Sequence, residues 1–523
     1  MGRAEPRTNR LERLEWFRDQ GFGLFIHWSV DSQLGSVISH SMVGADEAYL
    51  RRFVEELPAT FNPRRFAPDE WAALARLAGI RYVVLTAKHH SGFCLWPTKT
   101  TDFSIANTPF RRDLVRELLG AFRAQGIAPG LYFSPDDFWW LWRNGIPLQR
   151  GNDAVQPRSN PGLMAHDQAQ VRELLGDYGP VDVLFFDGEA QGLRDLAWEM
   201  QPDVVVTRGA IETPEQYVPG LPLEGAWEAC LTMGTQWQYK PTNENYKSGW
   251  DCLSLLIETR AKGGNLLLNI GPEPDGALPP EQEDRLREIA LWMFVNGECI
   301  HGVRPWVITN EEDVWFTKRK DADTVYAIVK RPPERRWRYG EWQEFVLRSV
   351  KATAQTTVRV LSQNDQVLEY NQSVVPTTTW EQRADGLHIR AMRAQRLYND
   401  RKWPNPVVLK LTHVQPALSP PQVETRGVRW DRGRKVLLCA GALRRLGDAA
   451  SVAVGFEWRD TTGMDLTERL SAWEATKAQE LVAAGEFMLP LSGLQPGHSY
   501  EVRAVARHPL LSLYGREVQV RVP

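Results

Sequence analysis

A chain of 523 residues, 43% hydrophobic and 24% charged, has room for two to four domains and the composition of an ordinary globular protein. Its formal charge of −3 gives no basic footprint for nucleic acid, and no apolar run approaches the roughly 18 residues that span a bilayer. Neither a nucleic acid nor a membrane is therefore expected as a partner.

The start, MGRAEPRTNRLERLEWF, is charged and has no apolar segment of the kind a signal peptide needs. The expected location is cytoplasmic, or secreted, periplasmic or lysosome-like if a leader has been removed. Five scattered cysteines (Cys94, Cys230, Cys252, Cys299, Cys439) show no CxxC spacing and read as buried free thiols, not as a disulfide framework or a zinc site. The 21 tryptophans, clustered in places such as DDFWWLWRNG, suit either sugar platforms or core packing.

From residue 20 to 300, apolar runs alternate with amphipathic stretches. The runs are FGLFIHWS (22–29), YVVLTAKHH (82–90), APGLYFS (128–134), VDVLFFDG (181–188), DVVVTRG (203–209) and NLLLNIGP (265–272). Helical patterns lie between them at 68–80, 112–126 and 165–179, and another follows at 279–297, opened by prolines and closed by Asn296-Gly297. Strands alternating with helices predict an α/β fold, a (β/α)8-like barrel, over residues 1–305. No GxGxxG follows the first strand, which disfavours a dinucleotide-binding sheet.

Beyond Trp306 the pattern changes to short alternating runs at 323–330, 344–350, 356–362, 386–392 and 406–414, predicting an antiparallel β-sandwich over 306–414. A linker, QPALSPPQVE (415–424), opens the last segment, 415–523. There GLQPGHSYEVRAVARHP (493–509) resembles the end of a fibronectin type III domain, in which a tyrosine anchors a corner.

A barrel places its active site at the C-terminal ends of its strands. Reading those ends gives His27 and Trp28, then Lys88, His89 and His90, then Tyr132 and Asp136, Asp187, Arg208, and Glu228 in AWEACLTMG. His89 and His90 can face one site together only if their strand ends at Lys88. A carboxylate closing an apolar strand is expensive unless its charge is used or neutralised. Retaining glycosidases use such a group as nucleophile, with a second carboxyl about 5–5.5 Å away as acid and base. Asp187 is the expected nucleophile and Glu228 the expected acid/base, its pKa raised by the neighbouring anion. Asp187 with Glu189 or with Glu224 are the competing pairs. No HExxH-type spacing is present, so neither a metal nor another cofactor is expected.

These residues lie in blocks that carry a resemblance: WFRDQGFGLFIHWS, YVVLTAKHHSGFCLWPTKTTDFSIANTPFRRDLV, GLYFSPDDF, LFFDG, WEACLTMG and KGGNLLLNIGPEPDGALPPEQEDRL. Over roughly residues 12 to 306 the chain resembles glycoside hydrolase family 29, the retaining alpha-L-fucosidases. The resemblance implies a barrel followed by a β-sandwich and an exo-acting enzyme that removes terminal alpha-L-fucose by double displacement. It assigns the nucleophile to Asp187 and the acid/base to Glu228. It lines the sugar pocket with His27, Trp28, His89, His90, Tyr132 and Arg208.

Three departures accompany it. Phe185 stands where the family often has tryptophan, Ser29 where it has glycine, and GSVISHSMVGADEAY (35–49) replaces a block carrying a glutamate, whose place His40 is expected to take. Phe185, Trp96 and Trp237 are the expected wall near the C5 substituent, where fucose and L-galactose differ. An alpha-L-galactosidase, a transfucosylase and a non-catalytic fucose-binding protein are the alternatives. The expected partner is a fucosylated oligosaccharide or polysaccharide, with association of copies of the chain left open.

Overall fold

A computed structural model describes residues 7–149, 152–220, 222–398, 402–462, 473–508 and 511–523. Residues 1–6 of the charged start and Pro509, the end of the fibronectin-like stretch, lie outside the described residues. The chain divides into two compact units. The first holds residues up to Glu215 together with Glu224–Leu256 and Gly264–Gly302; the second holds Gln216–Leu223, Ile257–Gly263 and Val303–Pro523.

In the first unit, α1 (Leu11–Gln20) ends at Gly21, whose φ of 73° turns the chain straight into β1 (Phe22–Ile26). Then follow α2 (Glu47–Thr60), α3 (Pro68–Leu77), β2 (Tyr82–Lys88), α4 (Leu114–Ala124), β3 (Ala128–Phe133), α5 (Phe138–Arg143), α6 (Pro161–Asp177) and β4 (Val183–Phe186). The unit continues with α7 (Gln191–Met200), β5 (Val205–Val206), β6 (Glu228–Thr232), α8 (Gly249–Ala261), which runs on into Ile257–Gly263, β7 (Asn265–Ile270) and α9 (Pro280–Asn296). Local chemistry sets these starts. Asp113, Asp137 and Asn160 accept the N–H of Arg116, Trp140 and Leu163 at the heads of α4, α5 and α6, and proline opens α3, α6 and α9.

Seven parallel strands hydrogen-bond in the order β5-β4-β3-β2-β1-β7-β6. The expected eight-stranded ring is thus a curled, barrel-like sheet of seven among the described residues. After the two-residue β5, single parallel bridges join Arg208 with Ile211, Glu212 with Trp227 and Glu215 with Cys230, the last two laying the segment 212–215 alongside β6. Inward side chains Phe25, Tyr82, Val84, Tyr132, Val183, Phe185, Val205, Cys230 and Leu267 fill the interior, with Phe17 among them.

The second unit is antiparallel. It contains β8 (Val303–Glu311), β9 (Val314–Arg319), β10 (Thr324–Val329), β11 (Trp342–Leu347), β12 (Val350–Val360), β13 (Thr379–Arg383), β14 (Gly386–Met392) and β15 (Val407–Pro416). These form sheets ordered β12-β15-β10-β9-β8 and β11-β14-β13. The expected linker is shorter than read: β15 runs to Pro416 and β16 (Gln422–Asp431) begins after five intervening residues.

With β16 come β17 (Val436–Arg445), β18 (Val452–Asp460), β19 (Glu474–Ala475), β20 (Gln479–Leu481), β21 (Gly485–Leu491), β22 (Ser499–His508), β23 (Leu511–Tyr514) and β24 (Val518–Arg521). They make a β16-β17-β21 sheet and a second sheet built on β18 and β22. Between them lies a core of Leu437, Cys439, Val454, Phe456, Val502 and Ala504. The Tyr500 hydroxyl accepts the backbone N–H of Gln495 at 2.9 Å, a tyrosine corner.

Gly130 in β3 has no room for a side chain: a Cβ there would lie 2.6 Å from the Val83 carbonyl oxygen. Gly130→Ala is expected to destabilise the first unit by about 1–3 kcal/mol, read as a lower midpoint in thermal or urea unfolding.

Candidate active site

Asp187 directly follows β4 at the C-terminal end of the parallel sheet. Its side chain is 24% exposed, and both carboxylate oxygens are engaged. Arg208 Nη1 donates to Oδ1 at 2.9 Å and the Tyr132 hydroxyl donates to Oδ2 at 2.7 Å, while His90 Nε2 lies 3.6 Å from Oδ2. Burial alone would push the Asp187 pKa up; His90, Arg208 and the Tyr132 hydrogen bond together outweigh it and hold it below the usual carboxylate range. Burial and the adjacent anion keep Tyr132 neutral, so it remains a donor. The group is a permanent anion in an aromatic setting, as a nucleophile must be.

β2 ends at Lys88, so His89 and His90 leave the strand alternation and turn towards Asp187 together. His89 stacks on Tyr132 with centroids 5.3 Å apart and planes 2° from parallel, and its Nδ1 meets Ser39 Oγ at 2.8 Å. His90 Nδ1 meets Ser134 Oγ at 2.6 Å. His40 joins them, its ring 5.4 Å from that of His90 and 6.3 Å from that of His89.

His27 is held from the other side. Asn269 donates its amide nitrogen to the Trp237 carbonyl, which leaves Asn269 Oδ1 facing His27 Nδ1 at 2.6 Å. His27 Nδ1 must therefore carry a proton, and Nε2 is left as an acceptor for a ligand hydroxyl. Burial lowers the His27 pKa to about 4, so the ring is neutral. Trp237 flanks it at 4.8 Å, and Phe185 packs against Phe25 and Tyr132 beneath the Arg208 guanidinium, 4.7 Å from its ring.

Lys88 does not reach this cradle. It is fully buried between Asp137 (3.1 Å) and Asp167 (2.8 Å), and its ammonium faces the Phe133 ring. Asp137 in turn caps α5 and takes His166, so the charge cluster fixes the backbone on either side of His90. Burial pushes Asp167 up, whereas for Asp137 burial is outweighed by Lys88 and His166, leaving one firm anion beside the lysine. Asp136 is close to His90, at 3.8 Å.

Three of the expected site residues are placed apart from this cradle. Glu228 is the first residue of β6, four residues below its C-terminal end, roughly 13 Å along the strand. It is wholly buried, accepts the Tyr82 hydroxyl at 2.5 Å, and its pKa is pushed up to about 7 by burial and not by Asp187. Tyr82 opens β2, so this hydrogen bond ties Glu228 to the N-terminal end of that strand, away from the Asp187 carboxylate that follows β4. Trp96 is also buried and donates its indole N–H to Glu173 at 2.8 Å. Trp28 packs among Phe61, Phe66 and Trp71. Of the rival carboxylates, Glu189 accepts the Gln191 N–H and Glu224 is exposed.

The carboxylate the sequence reading missed is Glu215. Its Oε2 accepts from Arg208 Nη2 at 2.7 Å, so one guanidinium carries Asp187 on one nitrogen and Glu215 on the other. Glu215 is 35% exposed, open to an incoming ligand. The local signal was ETPEQY, an acidic pair in a loop four to seven residues after Arg208, which no strand or helix pattern marks.

His89, His90 and Asp187 present atoms within 4.8 Å of one another, a spacing a metal ion could use. With both Asp187 oxygens taken and a guanidinium already opposite it, the donor set fits sugar hydroxyls better than a second cation.

An unfolded glutamate ionises near pH 4.5 and folded Glu228 near 7. Between those values the unfolded chain releases its proton first, so stability falls as pH rises through this window, by about 3 kcal/mol. Glu228→Gln is expected to flatten that fall in urea titrations at pH 5 and pH 8 while leaving kcat/KM within a few-fold.

A sequence profile described as alpha-L-fucosidase matches residues 3–298. The chain is 32% identical to plasma alpha-L-fucosidase of Rattus norvegicus over 377 residues, 63% of this chain and 80% of that one. It is 33% identical to an alpha-L-fucosidase of Branchiostoma floridae, covering 60% and 78%. Among solved structures, alpha-L-fucosidase isoenzyme 1 from Paenibacillus thiaminolyticus superposes with a TM-score of 0.63 at 27% identity, over 77% of this chain and 99% of that one. With a profile covering more than half its length and relatives matched over most of theirs, the chain belongs to the alpha-L-fucosidase family.

Proposed function

We propose that this alpha-L-fucosidase is exo-acting and retaining, with Asp187 as nucleophile and Glu215 as general acid and base. The observation that carries the pairing is the shared Arg208 guanidinium, which donates to Asp187 at 2.9 Å through Nη1 and to Glu215 at 2.7 Å through Nη2 and so brings the two carboxyl groups to one cation. Asp187 attacks the anomeric carbon and the glycosidic bond breaks. Glu215 protonates the departing oxygen, then takes a proton from the water that hydrolyses the glycosyl ester. In that second step the bond from Asp187 to carbon is replaced by one from water, and the carboxylate is restored.

The pocket around Asp187 suits a neutral sugar bound at its end. His27 offers an acceptor at Nε2, while His89, His90 and His40 supply further ring nitrogens along one edge. Trp237 and Phe25 add an apolar surface against which a methyl group packs better than a hydroxymethyl. Fucosylated glycans with an unsubstituted terminal sugar are the substrate class this fits.

Two variants test the roles. Asp187→Gly should lose turnover by about 10⁴-fold or more and regain part of it with azide, which replaces the missing nucleophile. Glu215→Gln should lose 10²–10⁴-fold on fucosides with poor leaving groups and far less on nitrophenyl fucoside, whose departure needs little acid assistance. Full activity of Asp187→Gly, or uniform loss with Glu215→Gln, would remove that residue from its role.

A further inference from the structure

Two departures in the sequence, Ser29 and the segment 35–49, meet at one buried carboxylate. Asp31 lies in the loop between β1 and α2 and is wholly buried. Its Oδ2 accepts the backbone N–H of Ser39 at 2.7 Å, and the Ser29 hydroxyl and Gln238 amide face the same carboxyl. Gln238 also donates to the Ser36 carbonyl at 2.6 Å, so 36–39 is tied down at both ends. Burial raises the Asp31 pKa to about 6, and the Ser39 N–H opposes that rise, as a donor to an anion does.

Ser39 is what those ties hold. Its φ of 62° lies in the left-handed region, which a residue with a Cβ occupies only where its surroundings impose it, and it too is wholly buried. A serine ahead of a short helical turn, here His40–Met42, ordinarily turns its hydroxyl back to cap it; this one does not. Ser39 Oγ instead accepts the Ser91 N–H at 2.8 Å and meets His89 Nδ1 at 2.8 Å.

A buried hydroxyl proton needs an acceptor. Ser91 offers an N–H, so among the described contacts of Ser39 Oγ the imidazole nitrogen is the group able to take that proton. His89 Nδ1 is then an acceptor, and Nε2 carries the proton of the ring. His27 has the opposite arrangement, with its Nδ1 proton held by Asn269 and Nε2 left bare. The two rings lie 5.9 Å apart, centroid to centroid. Together they offer one acceptor and one donor to the hydroxyls of a single sugar.

We propose that Asp31 is a positioning residue that acts through Ser39: it holds the left-handed turn that points the hydroxyl at His89 Nδ1, and thereby makes His89 Nε2 a hydrogen-bond donor to the bound sugar. The inference rests on the sugar occupying the pocket between His27 and His89. Ser29 and the 35–49 segment then belong to one device for orienting that histidine.

The test measures L-fucose binding by calorimetry to the full-length protein and to Ser39→Gly, Asp31→Ala, Asp31→Asn and the Asp31→Ala, Ser39→Gly double variant, with thermal melting alongside. Glycine accepts a φ of 62° without strain, so Ser39→Gly keeps the turn and removes the hydroxyl. It should weaken L-fucose about 10-fold, with melting shifted by only a few degrees. Asp31→Ala should weaken binding to the same extent, and the double variant no further than the worse single change. Asp31→Asn, which keeps an oxygen for the Ser39 N–H, should retain most of the affinity. In nitrogen-15 spectra of histidine-labelled protein, His89 should show an unprotonated Nδ1 and a protonated Nε2. Binding unchanged in Ser39→Gly, losses that multiply in the double variant, or a protonated Nδ1 on His89 would overturn the inference. Should Asp31→Ala not fold, Ser39→Gly and the His89 spectrum decide alone. A wild-type protein with no affinity for L-fucose would overturn the pocket assignment itself, and the inference with it.

Discussion

The arrangement at the mouth of the barrel depends on one guanidinium. Arg208 follows β5, lies over the Phe185 ring, and binds Asp187 and Glu215 through separate nitrogens. Two carboxylates gathered at one group repel each other, and a cation between them offsets that repulsion. Asp187 gains the most, since Tyr132 and His90 act on it as well and keep it ionised. Glu215 has no second charged partner of this kind among its described contacts and is free to exchange Arg208 for the oxygen of a glycosidic bond. The same contact thus joins a firmly held anion to a more exposed carboxyl, to which the proposed mechanism assigns the proton transfers.

Around this pair the site is held by neutral groups whose orientation is decided well away from the sugar. The Trp237 carbonyl sets Asn269, Asn269 sets the His27 tautomer, and burial keeps the ring neutral. Lys88, Asp137 and Asp167 form a dry ion cluster behind His90. Removing one member of such a cluster would leave an uncompensated buried charge, which is why it serves as a rigid backstop and not as a proton relay. Rigid positioning of this sort is what lets hydrogen bonds to a ligand strengthen as charge develops on it.

Much of this was legible in the sequence because it follows from strand geometry. An apolar run ending in Asp187-Gly188, and another ending in Lys88-His89-His90, point to the C-terminal rim of a parallel sheet once the strands are assigned. Glu228 misled because a glutamate next to an apolar run reads alike at either end of a strand. Its place before Ala229, Cys230 and Leu231 puts it at the strand start and not at the C-terminal rim. Glu215 escaped because loops carry no periodicity, and only the fold brings residue 215 back to Arg208 and Cys230. Trp28 was expected in the pocket lining and Trp96 in its wall near the C5 substituent, but a tryptophan's large area serves a core equally well, and both are buried. The helices at 47–60, 191–200 and 249–261 were not marked, although their partners in sequence space, the strands, were.

The most direct measurement is to inactivate the Glu215→Gln variant with a 2-fluoro-fucosyl donor bearing a good leaving group and to map the modified peptide by mass spectrometry. The expected result is a stable adduct on the peptide containing Asp187, accumulating because the variant lacks the base that would activate water. A label on any other carboxylate, or an adduct that persists with Glu228→Gln and turns over with Glu215→Gln, would contradict the pairing across Arg208.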